Sequence, residues 1–151
     1  MVKSYTGVRK VPEKEVQDFQ VKDFMTRKLI TFKPDQPIGE VADILMKKNI
    51  SGGPVLDENN KLCGIISEGD CLKEFLKGQY TNSLNHDGIV GDHMVKQVLT
   101  TTPETAILEI AQRFLQEKVR RFPVMEDGKL VGQISQRDVL SAVNKLKKST
   151  W

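Results

Sequence analysis

Pro123-Val124-Met125-Glu126-Asp127-Gly128-Lys129-Leu130-Val131-Gly132-Gln133-Ile134-Ser135-Gln136-Arg137-Asp138 restates, one residue shorter, Pro54-Val55-Leu56-Asp57-Glu58-Asn59-Asn60-Lys61-Leu62-Cys63-Gly64-Ile65-Ile66-Ser67-Glu68-Gly69-Asp70. Each stretch is two short apolar runs joined by a polar turn, which predicts a β-hairpin. The missing residue falls in the turn, Glu126-Asp127-Gly128 against Asp57-Glu58-Asn59-Asn60. Turns accept changes of length far better than strands do. Outward from the hairpins the match continues at a shift of 69 positions, taking Asp23 and Met25 to Asp92 and Met94, Pro34 to Pro103, Ile38 to Ile107 and Ala42 to Ala111. Beyond the turn the shift is 68, taking Gly64 to Gly132, Ser67 to Ser135 and Asp70 to Asp138. An internal duplication organises the chain.

Ile38, Val41, Ala42, Leu45 and Met46 fall at the spacing of one helical face, and Ile107, Ile110, Ala111, Phe114 and Leu115 repeat it. Each hairpin runs into a second helix, expected to turn Leu72, Phe75 and Leu76 inward in the first copy and Val139, Leu140 and Val143 in the second. Each unit thus reads β-α-β-β-α over about 55 residues, too few to bury a sufficient core alone. The expected fold is α/β (α+β), with two such repeats packed sheet to sheet and sharing a core. The expected boundaries are an extension over 1–20, repeats over 21–76 and 89–146, a polar linker over 77–88 and a tail over 147–151.

The 151 residues are 38% hydrophobic and 28% charged, a globular composition, and the net charge of +3 is too mild to argue nucleic-acid binding. No stretch approaches the ~20 apolar residues of a membrane span. The start, Met1-Val2-Lys3-Ser4-Tyr5, lacks the apolar core of a secretory signal, so a cytoplasmic protein is expected. Cys63 and Cys71, the only cysteines, are expected as reduced thiols. His86 and His93 have no partners at zinc-ligand spacing, so no metal site is expected. Phosphate-loop, dinucleotide and nucleophile-elbow motifs are absent, and no nucleophile–base pair emerges; a catalytic role is not expected.

The chemistry concentrates where each hairpin meets its helix, at Gly64–Asp70 and Gly132–Asp138. A helix start offers unpaired N–H groups and partial positive charge, suited to phosphate, and the Ser-x-x-Asp pairs add a hydroxyl and a carboxylate. The same pairs also match a capping box closing the helix start. Repetition beside two strand ends favours nucleotide binding over capping alone.

The Met25-Thr26 and Met94-Val95 starts, the Pro-Val blocks and the Gly-x-x-Ser-x-x-Asp endings together resemble the cystathionine-β-synthase (CBS) domain, and two in tandem resemble a Bateman module. The resemblance covers about residues 20–145. It implies two clefts between the repeats, homodimerisation, and an adenosyl ligand such as AMP, ADP, ATP or S-adenosylmethionine, with no catalytic cofactor. Carried over, one cleft would combine Met25, Ile30, Ile50, Ser51 and Gly52 with Gly132, Ser135, Arg137 and Asp138. The other would combine Ser67 and Asp70 with Met94, Leu99, Val119, Arg120 and Arg121. For Met25, Ile30 and Leu99, ordinary core packing is an equal expectation.

Arg120-Arg121 directly precedes Phe122-Pro123, where the first copy has the small Gly52-Gly53, and two arginines entering a strand there imply a cleft, an anion or water. Ser51-Gly52 is expected to leave room for a base, making the Asp138 cleft the better adenosine site. The function implied is a regulatory sensor acting on an unidentified protein. The alternatives are a structural dimerisation module with empty clefts and a weak RNA or DNA binder.

Overall fold

The computed structural model describes residues 19–80 and 88–149. Expectations for 1–18, for His86 and the linker at 81–87, and for the last two residues lie outside these. The described elements are α1 (Val21–Phe24), α2 (Ile38–Lys48), β1 (Gly52–Leu56), β2 (Leu62–Ser67), α3 (Glu68–Tyr80), α4 (Val90–His93), α5 (Ile107–Glu117), β3 (Arg121–Glu126), β4 (Lys129–Ser135) and α6 (Gln136–Ser149). The helices α3 and α6 run on past the points where the linker and tail were expected to begin.

Each hairpin forms as the pattern predicts: β1 pairs antiparallel with β2 and β3 with β4, both with a register shift just before the turn. The strand expected ahead of α2 and α5 is reduced to single bridges, Phe32 beside Val55 and Thr101 beside Val124, both parallel. On its far edge each hairpin takes a bridge from the other repeat, Val95 against Ile65 and Thr26 against Gln133. The result is a mixed helix-and-strand fold with two small antiparallel sheets.

The repeats exchange their leading helices. Val21 and Met25 pack in a cluster otherwise built by the second repeat, with Ile107, Phe114, Phe122 and Ile134. Val90 and Met94 complete the cluster of Phe32, Ile38, Val55 and Ile66 in the first. The apolar core is therefore two clusters, each closed by the other repeat, rather than the single shared core expected. The N–H groups that open these short helices are satisfied across the same junction. Val21 and Lys22 donate to the carbonyls of Thr105 and Pro103, and Val90 and Gly91 to those of Gln36 and Pro34, all at 2.8–2.9 Å. The repeated Asp23 and Asp92 carboxylates receive the backbone N–H groups of Gln20 and Ile89 at 2.9 and 3.5 Å.

The second helix of each repeat is rotated from the expectation. Cys71 and Glu74 face inward on α3; on α6 Val139 faces inward as expected, but with Ala142 and Leu146 rather than Leu140. Leu72, Leu76 and Leu140 are exposed, as are Met46 on α2 and Leu115 on α5. Ser67 and Ser135 each close a capping box with the aspartate three residues on, which sets the rotation of the helix that follows. Glu74 is buried and meets His93 Nε2 at 2.5 Å, while the Gly88 N–H donates to its other oxygen at 3.0 Å.

Phe32 lies against Gly53, and the duplicated pair is Thr101 and Phe122. The large ring thus belongs to opposite partners in the two repeats, and the Phe122 ring packs against Phe114. Burial pushes both thiols up, with Asp57 adding to the effect at Cys63 and Asp70 and Glu68 at Cys71, so both are poor nucleophiles.

Candidate functional site

Two clefts open where the hairpin-to-helix junction of one repeat faces the loop and strand start of the other. The larger, about 630 Å³, brings together Ile30, Ile50, Ser51, Gly52, Ser135 and Arg137 from the predicted set. The smaller, about 300 Å³, brings together Ser67, Asp70, Leu99, Val119, Arg120 and Arg121. Sequence reasoning missed Lys28, Leu29, Asn49, Gln133 and Gln136 in the first, and Val95, Gln97, Val98 and Lys118 in the second. Part of that signal lay in the duplication. Asn49 and Lys118 are corresponding residues, and each ends its helix in the left-handed region, at φ 53° and 55°.

Met25, Gly132 and Met94 do not line the clefts. A Cβ on Gly132 would stand 2.8 Å from the Met25 sulfur and 2.9 Å from the Thr26 carbonyl. One on Gly64 would stand 2.5 Å from the Met94 sulfur and 3.0 Å from the Val95 carbonyl. These glycines admit the crossing segment of the other repeat, so their close approach serves chain packing. The aspartates cap their helices, as the simpler reading of Ser-x-x-Asp holds. Asp138 accepts the Ser135 N–H at 2.9 Å, and Asp70 accepts both the N–H and the hydroxyl of Ser67 at 2.9 Å. Capping occupies Oδ2 in both residues. Asp70 is part of the lining of its cleft, whereas Asp138 is not.

Arg121 takes up part of the space beside Ser51-Gly52, which line the larger cleft. It is 9% exposed, its guanidinium donates to the Ser51 hydroxyl, and a Cβ on Gly52 would lie 2.6 Å from its Nη1. Gly52 and Arg121 are corresponding residues, so the guanidinium crosses from one repeat into space the other leaves by lacking a side chain. Both Arg120 and Arg121 line both clefts. Burial, and then the charge of Arg120, lower the proton affinity of Arg121, while Glu68 works the other way. Among the described residues no carboxylate forms an ion pair with either arginine, which leaves concentrated positive charge where the clefts meet. Gln133 Oε1 is the one buried side-chain oxygen without a hydrogen-bond partner among the described residues, and Gln133 lines the larger cleft. Apolar walls, a row of cations and an unpaired acceptor can hold an anionic, partly apolar molecule with amino donors.

Among the described residues no group of His, Cys, Asp and Glu could hold a metal, and no helix is long and apolar enough to cross a membrane.

Comparison with known proteins agrees with this architecture. The CBS domain pattern matches residues 21–77 and 90–145. The chain is 32% identical to the chloroplastic CBS domain-containing protein CBSX1 of Arabidopsis thaliana, over 87% of this chain and 66% of that protein. Against several of its curated relatives it spans only 44–66% of their length. Its fold is similar to CBSX2 of Arabidopsis thaliana, solved in complex with AMP, with TM-score 0.74 and 33% identity over 85% of this chain and 98% of that one. It is also similar to the CBS domain pair of protein MJ0100, solved with 5′-methylthioadenosine and S-adenosyl-L-methionine, with TM-score 0.71 and 26% identity over 84% and 97%.

Proposed function

The chain belongs to the CBS domain family, with two repeats in tandem, and from that premise we propose that it is a regulatory sensor that binds an adenine nucleotide between its repeats and performs no catalysis. The observation that carries this reading is the larger cleft. Leu29, Ile30 and Ile50 offer apolar surface for a base, Gln133 an acceptor for an amino group, and Lys28, Arg120, Arg121 and Arg137 charge for phosphate. The AMP complex of CBSX2 supports an adenosyl ligand. On this reading Ser135 bonds phosphate and the free oxygen of Asp138 receives ribose hydroxyls once its side chain turns toward the cleft. In the smaller cleft Asp70 takes the ribose hydroxyls, with Ser67 beside it. Met25, Met94 and Gly132 act from behind, by holding the junction.

The exposed apolar side chains support homodimerisation as part of the same reading. Met46 corresponds to Leu115 and Leu72 to Leu140, so both repeats present apolar residues on their outer helices, as a surface covered by a second copy would. Ligand binding then changes how the repeats sit and a regulated protein responds, within the limit set by the ligand's preference for one shape. With the compartment read as cytoplasmic, cellular nucleotide is the signal.

A second reading, a dimerisation module with unused clefts, draws on Arg121 filling the Ser51-Gly52 corner. Equilibrium binding of AMP to the intact chain separates the two. The sensor reading expects saturable binding that Asp138→Ala weakens more than Asp70→Ala, with both variants folded. Absence of binding by AMP, ADP, ATP and S-adenosylmethionine would leave the dimerisation module.

A further inference from the structure

Two clefts share one pair of arginines. Arg121, buried and bonded to Ser51, and its neighbour Arg120 line both, and neither has a carboxylate partner among the described residues. A phosphate arriving from either side is drawn to the same two guanidinium groups. Once it is held there, little of their charge remains for a second phosphate across the junction.

What each cleft then has of its own differs in charge. The larger keeps two cations, Lys28 and Arg137, with no carboxylate among the described residues that line it. The smaller keeps one cation, Lys118, against the Asp70 carboxylate in its wall. The corresponding residues show how the imbalance arises: Gln97 replaces Lys28 and Gly69 replaces Arg137. The smaller cleft also has less than half the volume, and Ile65 stands where Gln133 offers its unpaired oxygen.

We infer that the clefts take adenosyl ligands of different charge, a phosphorylated nucleotide in the Arg137 cleft and an uncharged or cationic adenosyl compound in the Asp70 cleft. The inference rests on the nucleotide-binding reading and assigns a ligand class to each cleft within it. A chain carrying a nucleotide in the first cleft and a nucleoside in the second reports on two signals at once.

Titration calorimetry of the intact chain at low salt, with ATP and adenosine as probes, tests this. One ATP should bind per chain, with any second ATP at least about tenfold weaker. Chain saturated with ATP should still take up one adenosine. Gly69→Arg supplies the missing counterpart of Arg137 at an open position, where a Cβ meets only the Ser67 hydroxyl at 3.8 Å. It should tighten the second ATP by about tenfold, with the gain shrinking as salt rises. Two equal ATP sites in the natural chain would overturn the inference and keep the nucleotide reading. So would adenosine displacing ATP one for one, or a folded Gly69→Arg chain with an unchanged second site. If neither probe binds, the inference is overturned, and the nucleotide reading falls with it only if AMP, ADP and S-adenosylmethionine also fail to bind.

Discussion

Glu74 and His93 stand where the duplicated positions are Ala142 and Phe24, so one junction is tied by a buried carboxylate–imidazole pair and the other by apolar contact. Burial pushes the Glu74 carboxyl up, but His93, the Gly88 N–H and the charge of Lys77 together hold it below its ordinary value. A carboxyl depressed in the folded state adds stability above its unfolded value of about 4.3, and loses it as pH falls through the folded value. Urea unfolding followed from pH 6 to pH 3 should therefore show a loss of stability that Glu74→Gln reduces. Glu74→Ala leaves the imidazole and the Gly88 N–H unpaired and should cost about 2–4 kcal/mol. Adding His93→Phe reproduces the Phe24–Ala142 pair and should recover most of that loss, a coupling visible in a double-mutant cycle. None of this was legible beforehand, because a hydropathy pattern places a glutamate outside. Arg121 was legible as a charge needing an outlet, but its reach to Ser51 was not, since nothing in a strand's alternation shows where a long side chain ends.

The hairpins were readable as elements because alternation, turn residues and duplication all agreed. The facing of α3 and α6 was not, because each carries apolar residues on two sides and only one of them is the core. Leu72 and Leu140 look as apolar as Cys71 and Val139; it is the capping of Ser67 by Asp70 and of Ser135 by Asp138 that sets which stripe turns in. The leading helices escaped for a different reason. Four residues hold too little pattern, and their partners lie in the other repeat. The Asp-x-Met repeat was visible, yet its work depends on a glycine about thirty positions away on one side or a hundred on the other, Gly64 for Met94 and Gly132 for Met25. Gly64→Ala and Gly132→Ala should each destabilise by about 1–3 kcal/mol, because the crossing backbone carbonyl cannot yield as a methionine can. Denaturant midpoints of the two variants check this. Unchanged midpoints would mean that the crossing segments move freely.

At the scale of the molecule, each repeat is incomplete without the other's leading helix. Fragments divided at the linker, 1–80 and 81–151, should show no cooperative unfolding alone and should regain it when mixed, as circular dichroism during heating would record. The duplication made the two-repeat plan and the approximate place of both clefts legible, with most of their predicted residues now found in the lining. The crossing of the halves stayed hidden because it depends on which surfaces meet. The central claim, that an adenine nucleotide is the signal, is tested most directly by thermal unfolding of the purified chain with AMP, ADP, ATP and S-adenosylmethionine in turn. A ligand at 100 times its dissociation constant stabilises by ~2.7 kcal/mol, a rise of roughly 5–10 °C for a chain of this size. The account predicts such a rise with at least one of these ligands, diminished in Asp138→Ala; no rise with any of them would contradict it.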